Sequence, residues 1–362
     1  MIDGWWRDSR INSKTKKRLE FSGRKITMNN IKKITAVLLS VLTAITLASC
    51  AGGPSESGSK KLKVGVIQIA PHASLDNCYN GFVEGLKQSG FEDKKNITIH
   101  FENAQGDIAN SDMMAKTMVS GKYDLIAGIA TPSAVSAYSA AKNTDIPIVF
   151  AAVSDPVNTG IVKSLEKPEY NCTGTSDVLD LDAQMKMIRA FLPDAKKIGV
   201  LYTTSEQNSL THLGKFKQLA PKYHFEIVAV GVNNASEVAL GAASLVAKGV
   251  DCINNFTDNN VVNNLSSVLN AASNAKIPVF GSEVEQVKNG CIAAEGIDYV
   301  SLGVETGKIA AKILKGEAKA GDISVKLFSE TTPVYNNDVL ISLGITLPDS
   351  YKSAEAVVPN KK

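Results

Sequence analysis

The sequence predicts an α/β protein built from two Rossmann-like lobes with parallel sheets. Three observations carry that expectation. From Leu62 onward, short apolar runs alternate with amphipathic stretches, the order that buries strands between helices. The series occurs twice, with matching segments about 130 residues apart, a spacing that fits a duplicated domain rather than a solenoid repeat. The chain has 362 residues, 44% hydrophobic and 21% charged, enough for about two domains of common size and unlike a disordered chain.

In the first series, LKVGVIQI (62–69) reads as a buried strand, and Leu75, Cys78, Phe82 and Leu86 lie at helical spacing over 75–89. NITIHFE is a strand, 108–120 a helix, YDLIAGI a strand, 132–142 a helix and IPIVFAA a strand. The second series runs helix 180–191, strand KIGVLY, helix 206–220, strand FEIVAVGV, helix 235–248, strand VDCINNF, helix 260–274 and strand IPVFGS. Val64-Gly65-Val66-Ile67 corresponds to Ile198-Gly199-Val200-Leu201, Tyr123–Ile126 to Val250–Ile253, and Asp145–Phe150 to Ala275–Phe280.

The net charge of +3 conceals an asymmetry. Residues 1–49 hold ten of the 39 basic residues and three of the 36 acidic ones, so the remainder carries −4. A mildly acidic body with 6% aromatics lacks the basic face and stacking surface of a nucleic-acid binder. Five cysteines are too few for a disulfide-built scaffold.

Residues 28–50 read MNNIKKITAVLLSVLTAITLASC. Lys32 and Lys33, the apolar run Ile34–Leu47 and the small residues after it have the layout of a secretory signal. The run is short for a membrane span, although a buried helix or plain anchor is the alternative. Leu47-Ala48-Ser49-Cys50 resembles a bacterial lipobox, which implies lipidation of Cys50 and a membrane-anchored, extracytoplasmic protein. The stretch 51–61, rich in Gly, Ser and Lys, reads as a flexible tether. Residues 1–27 fit neither a signal nor a domain, so Met28 is the expected start.

In open α/β sheets, ligands sit beyond the carboxyl ends of the strands. There Gln68 and His72 offer polar atoms and Leu75 an apolar wall. Thr131 reads as an N-cap and Pro132 as the first helical residue; with the Ser133 hydroxyl this helix start suits a carboxylate, or merely opens a helix. Ser154 and Asp155 follow the next strand. In the second series, Ser205 reads as an N-cap, with Glu206 or Asn208 projecting into the cleft. Asp258 either accepts an ammonium group or simply caps its helix, and Asn259 adjoins it. Asp298 is a candidate cap for the helix from Tyr299.

Motifs for hydrolytic, phosphoryl or metal chemistry are missing. There is no GxSxG, HExxH, paired CxxC or GxxxxGK[ST]. Gly303-x-x-x-Gly307-Lys308 is only a partial phosphate-loop likeness inside an amphipathic helix pattern. His72, His100, His212 and His224 have no metal-ligand spacing, so no metal or cofactor is expected, and a surface α/β enzyme lacks a nucleophile–base pair. Cys78 and Cys252 read as small core residues. Cys172 and Cys291 lie near expected crossings, with a disulfide or free thiols both open.

The segments LKVGVIQIAPHASLD, LIAGIATPSA, IPIVFAAVSDPVNTGIV, NCTGTSD, IGVLYTTSEQNS, TDNNVV, IPVFGSE and GIDYVSLGVETGKIAAKILKG resemble the substrate-binding lipoproteins of ABC importers, most closely the branch linked to aromatic amino acids such as tryptophan. The resemblance spans roughly 62–347. It implies a type I periplasmic-binding-protein fold with three crossing strands. The first lobe would take 62–155 plus 290–325 and the second 175–282 plus 335–350, with crossings at 156–174, 283–289 and 326–334. It assigns Thr131, Ser133 and Ala134, around Pro132, to a ligand carboxylate. Ser154, Asp155, Ser205, Glu206, Asn208, Asp258 and Asn259 become polar contacts, and Asp298 an ammonium partner. The branch commonly reads His-Pro-Ala-Leu-Asp where this chain has His72-Ala73-Ser74-Leu75-Asp76, which loosens that loop. Glu283 stands where an aspartate is usual and stays outside the expected set. The implied partners are an amino acid, a permease and its ATPase subunits, with the binding protein itself a monomer. A same-fold receptor for a branched-chain amino acid, purine or sugar, or a sensory protein, is the alternative.

Overall fold

The computed structural model describes residues 61–360. The expected leader with Cys50, and the tether up to residue 60, lie outside the described residues.

The first series gives β1 (Leu62–Gln68), α1 (Ala73–Gln88), β2 (Ile97–Asn103), α2 (Ile108–Ser120), β3 (Leu125–Ile129), α3 (Thr131–Ala141), β4 (Ile148–Ala151) and β5 (Cys172–Asp177). The second gives α4 (Leu181–Phe191), β6 (Lys197–Thr203), α5 (Gln207–Leu219), β7 (Glu226–Val232), α6 (Ala235–Ala247), β8 (Cys252–Asn254), α7 (Asn259–Asn263), α8 (Leu265–Asn274) and β9 (Val279–Phe280). After these come α9 (Val284–Lys288), β10 (Ala293–Gly296), α10 (Tyr299–Leu314), β11 (Lys326–Phe328), β12 (Thr332–Tyr335), α11 (Asn337–Leu343) and β13 (Glu355–Ala356).

Two sheets form. One is six-stranded, in order β11-β5-β4-β3-β1-β2, and every pair in it is parallel. The other, β7-β6-β8-β9, is also parallel. The repeated Val-Gly-Val-Ile and Ile-Gly-Val-Leu segments occupy equivalent inner strands, β1 and β6, and are buried. Continuous apolar runs are what a strand covered on both faces requires.

Strand pairing moves the expected crossings. Residues 172–174 were assigned to a hinge, yet β5 pairs with β4 inside the first sheet. CTGTSD has no apolar run to announce a buried strand. Its hydroxyls are paired instead: Thr173 donates to the Ile323 carbonyl (2.7 Å) and Thr175 meets Thr306 (2.6 Å). The chain therefore leaves the first sheet only after Asp177. Residues 283–289 do not cross either; most of them form α9. Residues 290–296, expected with the first lobe, run beside β9 through bonds from Ile292 N to Val279 O and Gly281 N to Ala293 O. The return falls between β10 and α10. Within 326–334, β11 joins the first sheet and β12 pairs antiparallel with β10, leaving 329–331 as the last passage.

The helix expected over 260–274 is broken at Asn264, whose side-chain amide donates to the Asn260 carbonyl (2.8 Å) and competes with the helical bond there. Cys172 and Cys291 are buried free thiols, so the pairing left open does not form.

Gly303 and Gly307 belong to a helix crossing. α1 and α10 pack backbone to backbone, with Gly81 and Gly85 facing Val300–Gly307. A Cβ on Gly81 would strike the Val300 carbonyl, and one on Gly307 the Phe82 carbonyl. This close approach holds the starts of α1 and α10, and with them Leu75 and Tyr299, against one end of the first sheet.

Candidate functional site

Between the sheets lies a cavity of about 10 Å³, room for roughly one water molecule. From the first side it is lined by His72, Leu75, Ala130, Thr131, Ala152, Ser154, Asp177 and Tyr299; from the second by Asn208, Thr257, Asn259 and Glu283. These are strand ends and the helix starts that follow them. An amino acid enters such a space only if the two sides move apart.

The backbone is unusual on the first side. Ala130, the N-cap of α3, has φ 71° and ψ 159°, and Ala152 has φ 56°. Non-glycine residues in such regions cost about 1–3 kcal/mol and persist where packing imposes them. At Ala130 the turn is tight: a Cβ on Gly128 would collide with the Ser133–Ala134 backbone, so α3 begins hard against β3. The helix start leaves the N–H groups of Thr131 and Ser133 without helical acceptors, and Thr131 lines the cavity.

Two carboxyls face the cavity. Asp177 accepts from Tyr299 Oη (2.7 Å) and Ser154 Oγ (3.1 Å). Burial pushes its pKa up to about 6 against those bonds. Glu283 accepts from Gln286 Nε2 (3.0 Å), and burial raises it to about 7. The Tyr299 hydroxyl is raised well above its ordinary value by burial, then by Asp177 and Glu283, and stays a donor.

Glu206 organises the second side. Its Oε2 accepts from Asn208 Nδ2 (3.2 Å), Asn259 N (3.0 Å) and Asn259 Nδ2 (2.6 Å), and its Oε1 from Asn260 N (3.0 Å). Burial, then the neighbouring Asp258, pushes the Glu206 carboxyl above its usual range despite these donors. Both asparagine amides are thereby oriented with their NH₂ groups towards Glu206.

Of the expected site residues, the structure brings His72, Leu75, Thr131, Ser154, Asn208 and Asn259 to the cavity. The others are placed differently. Thr131 is not the N-cap; Ala130 is. The Ser133 hydroxyl accepts from Ser111 (3.2 Å), while Pro132 and Ala134 are buried without lining the cavity. Gln68 donates to the Ala70 carbonyl and to Asp76, tying down the loop. Ser205 is exposed and caps nothing, since Glu206 is the N-cap of α5. Glu206 acts behind the wall, through the asparagines. Asp258 is spent structurally, accepting from Thr203 N (2.6 Å), Thr203 Oγ1 (2.8 Å), Ser209 Oγ (2.7 Å) and Val261 N (2.9 Å). Asp298 caps α10 through Val300 N and Ser301 N. Asp155 pairs with Lys215 of α5 at 3.2 Å. Beside it, Asn158 Nδ2 donates to Thr211 Oγ1 (3.1 Å) and accepts at its carbonyl from Gln207 Nε2 (3.2 Å). These three contacts bridge the two sides outside the cavity.

Asp177, Thr257 and Tyr299 were missed, and Glu283, left outside the expected set, also lines the cavity. Asp177 was hidden because its strand was split between an expected crossing (156–174) and the second lobe (from 175); once β5 is recognised, the strand-end rule finds it. Glu283 also follows a strand, and Tyr299 follows the residue chosen in its place.

The family described as ABC transporter substrate binding protein matches residues 63–358. A curated relative, the tyrosine-binding protein of Clostridioides difficile (strain R20291), is 40% identical over 322 residues, 86% of this chain and 92% of that protein. Among solved structures, the ABC domain in complex with L-Trp from Streptococcus pneumonia superposes with a TM-score of 0.78 at 36% identity, over 82% of this chain and 99% of the other. The ligand-free, open structure of a substrate binding protein with adhesive properties from Clostridium difficile gives 0.62 at 40% identity, over 83% and 100%. The poorer fit to an open structure, despite the higher identity, agrees with the small cavity here.

Proposed function

The chain belongs to the ABC transporter substrate binding protein family, and from that membership we propose that it captures an aromatic amino acid between its sheets and hands it to a membrane permease. As a substrate-binding protein it works outside the cytoplasm with a small-molecule ligand, alongside a permease and ATPase. The finer assignments are ours: lipid anchoring through Cys50, a monomeric body and the aromatic ligand.

The observation that carries the reading is the pair of carboxyls, Asp177 and Glu283, meeting one cavity from opposite sides near the α3 start. A zwitterion complements this arrangement. Its carboxylate suits the free N–H groups at Thr131 and Ser133, its ammonium the two acids, and its ring the Leu75 wall. The ligands of the C. difficile relative and the S. pneumonia structure support an aromatic side chain. A ligand touching both sides favours the closed arrangement over the open one, which is how binding becomes a signal to the permease. The chain needs no chemical step of its own.

Thermal-shift measurements across the twenty amino acids, followed by calorimetry, test the reading. Stabilisation by tyrosine, tryptophan or phenylalanine above the other amino acids is expected. Failure of all three to shift the melting temperature would discard it.

A further inference from the structure

Buried polar atoms without a hydrogen-bond partner are rare and cost about 1–3 kcal/mol each. Three of those among the described residues belong to side chains that line the cavity: His72 Nδ1, Asn208 Oδ1 and Thr257 Oγ1. Asn208 is only 3% exposed. Their hydrogen-bonding character follows from Glu206. Asn208 Nδ2 is used on Glu206 and on the Thr257 carbonyl (3.0 Å), so its unpaired atom is an acceptor. Asn259 Nδ2 is likewise held by Glu206, which turns Asn259 Oδ1 to His72 Nε2 at 3.5 Å. An acceptor there calls for a proton on Nε2, leaving Nδ1 with a bare lone pair. Burial keeps His72 neutral, lowering its pKa to about 4. The unpaired set is thus two neutral acceptors and a hydroxyl.

Charged ligand groups pair best with charged partners, and Asp177 and Glu283 already answer an ammonium. We infer that His72 Nδ1, Asn208 Oδ1 and the Thr257 hydroxyl read a hydrogen-bond donor on the ligand's side chain, so that the protein selects aromatic amino acids bearing a ring O–H or N–H and rejects phenylalanine. The inference rests on the reading above that the ligand is an aromatic amino acid. Its physical basis is asymmetry: a ligand without the donor leaves the buried acceptors unpaired, and sites built around a polar group reject analogues lacking it far more strongly than apolar pockets reject a missing methylene.

Calorimetry on the unaltered protein with tyrosine, tryptophan, phenylalanine and 4-fluorophenylalanine tests this without relying on a variant. The fluoro compound keeps the bulk of tyrosine's ring substituent and lacks the donor. The better of tyrosine and tryptophan should bind at least about 100-fold tighter than either donor-free compound. The Thr257→Val variant, which removes a hydroxyl with no partner in the fold, should shrink that ratio about tenfold. Phenylalanine binding within threefold of the better donor ligand overturns the inference and leaves the aromatic reading intact. So does an equal loss for all ligands in Thr257→Val, which would place the ammonium at these atoms. No binding by any of the four compounds overturns both.

Discussion

Asp177, at the end of β5, and Glu283, just ahead of α9, line one cavity from opposite sheets; after burial, the charge of Asp177 is part of what pushes the Glu283 pKa upward. Like charges facing across a cleft oppose its closure, and a cation between them reverses the sign. The two carboxyls therefore tie closing to the arrival of an ammonium group.

Asp177→Asn and Glu283→Gln should each weaken amino-acid binding by tenfold or more, about 1.4 kcal/mol, measured by calorimetry. Asp298→Asn and Asp258→Asn should not act in this way. The first touches only a helix cap. The second should lower the melting temperature, because Asp258 accepts four bonds inside the fold. Unchanged affinity in both cavity variants would remove the ammonium site.

Ligand affinity should fall as pH is lowered from 8 to 5. The ammonium binds the ionised acids, whose pKa values stand near 6 and 7, and protonation below those values removes the attraction. The stability of the free protein runs the other way. A carboxyl raised on folding favours the fold below its unfolded pKa, and that advantage is lost as pH rises through 6 and 7. The melting-temperature gain from ligand should thus be larger at pH 8 than at pH 5. An equal gain at both would contradict the assignment.

Asp155, expected at the ligand, joins Lys215, Asn158, Thr211 and Gln207 in contacts between the sides. Lys215→Ala should raise Kd by about two- to threefold for every ligand, since exposed ion pairs contribute about 0.2–1 kcal/mol. The effect should fade in high salt. A change in ligand ranking instead would put Asp155 back in the pocket.

Gly307→Val should lower the melting temperature markedly, because the side chain would meet the Phe82 carbonyl across the α1–α10 crossing. Overpacking of this kind costs about 1–3 kcal/mol. An unchanged melt would mean that the helices do not cross so closely.

The two parallel sheets were legible in the amino-acid order, because continuous apolar runs and helical spacing are local signals that burial on two faces imposes. So was the position of His72, Thr131, Ser154, Asn208 and Asn259 around one cavity, since all of them follow strand ends. What stayed hidden depends on distant partners. The strand Cys172–Asp177 has hydroxyls where a buried strand normally has aliphatic side chains, and its pairing with β4 and β11 and its contacts with Ile323 and Thr306 make it a strand. Asp258 and Glu206 both look like ligand groups in the chain. Their roles were decided by which N–H groups the folded backbone aims at them. A carboxylate's chemistry is written in its residue type, but whether its lone pairs remain free for a ligand is settled only when the chain closes around it.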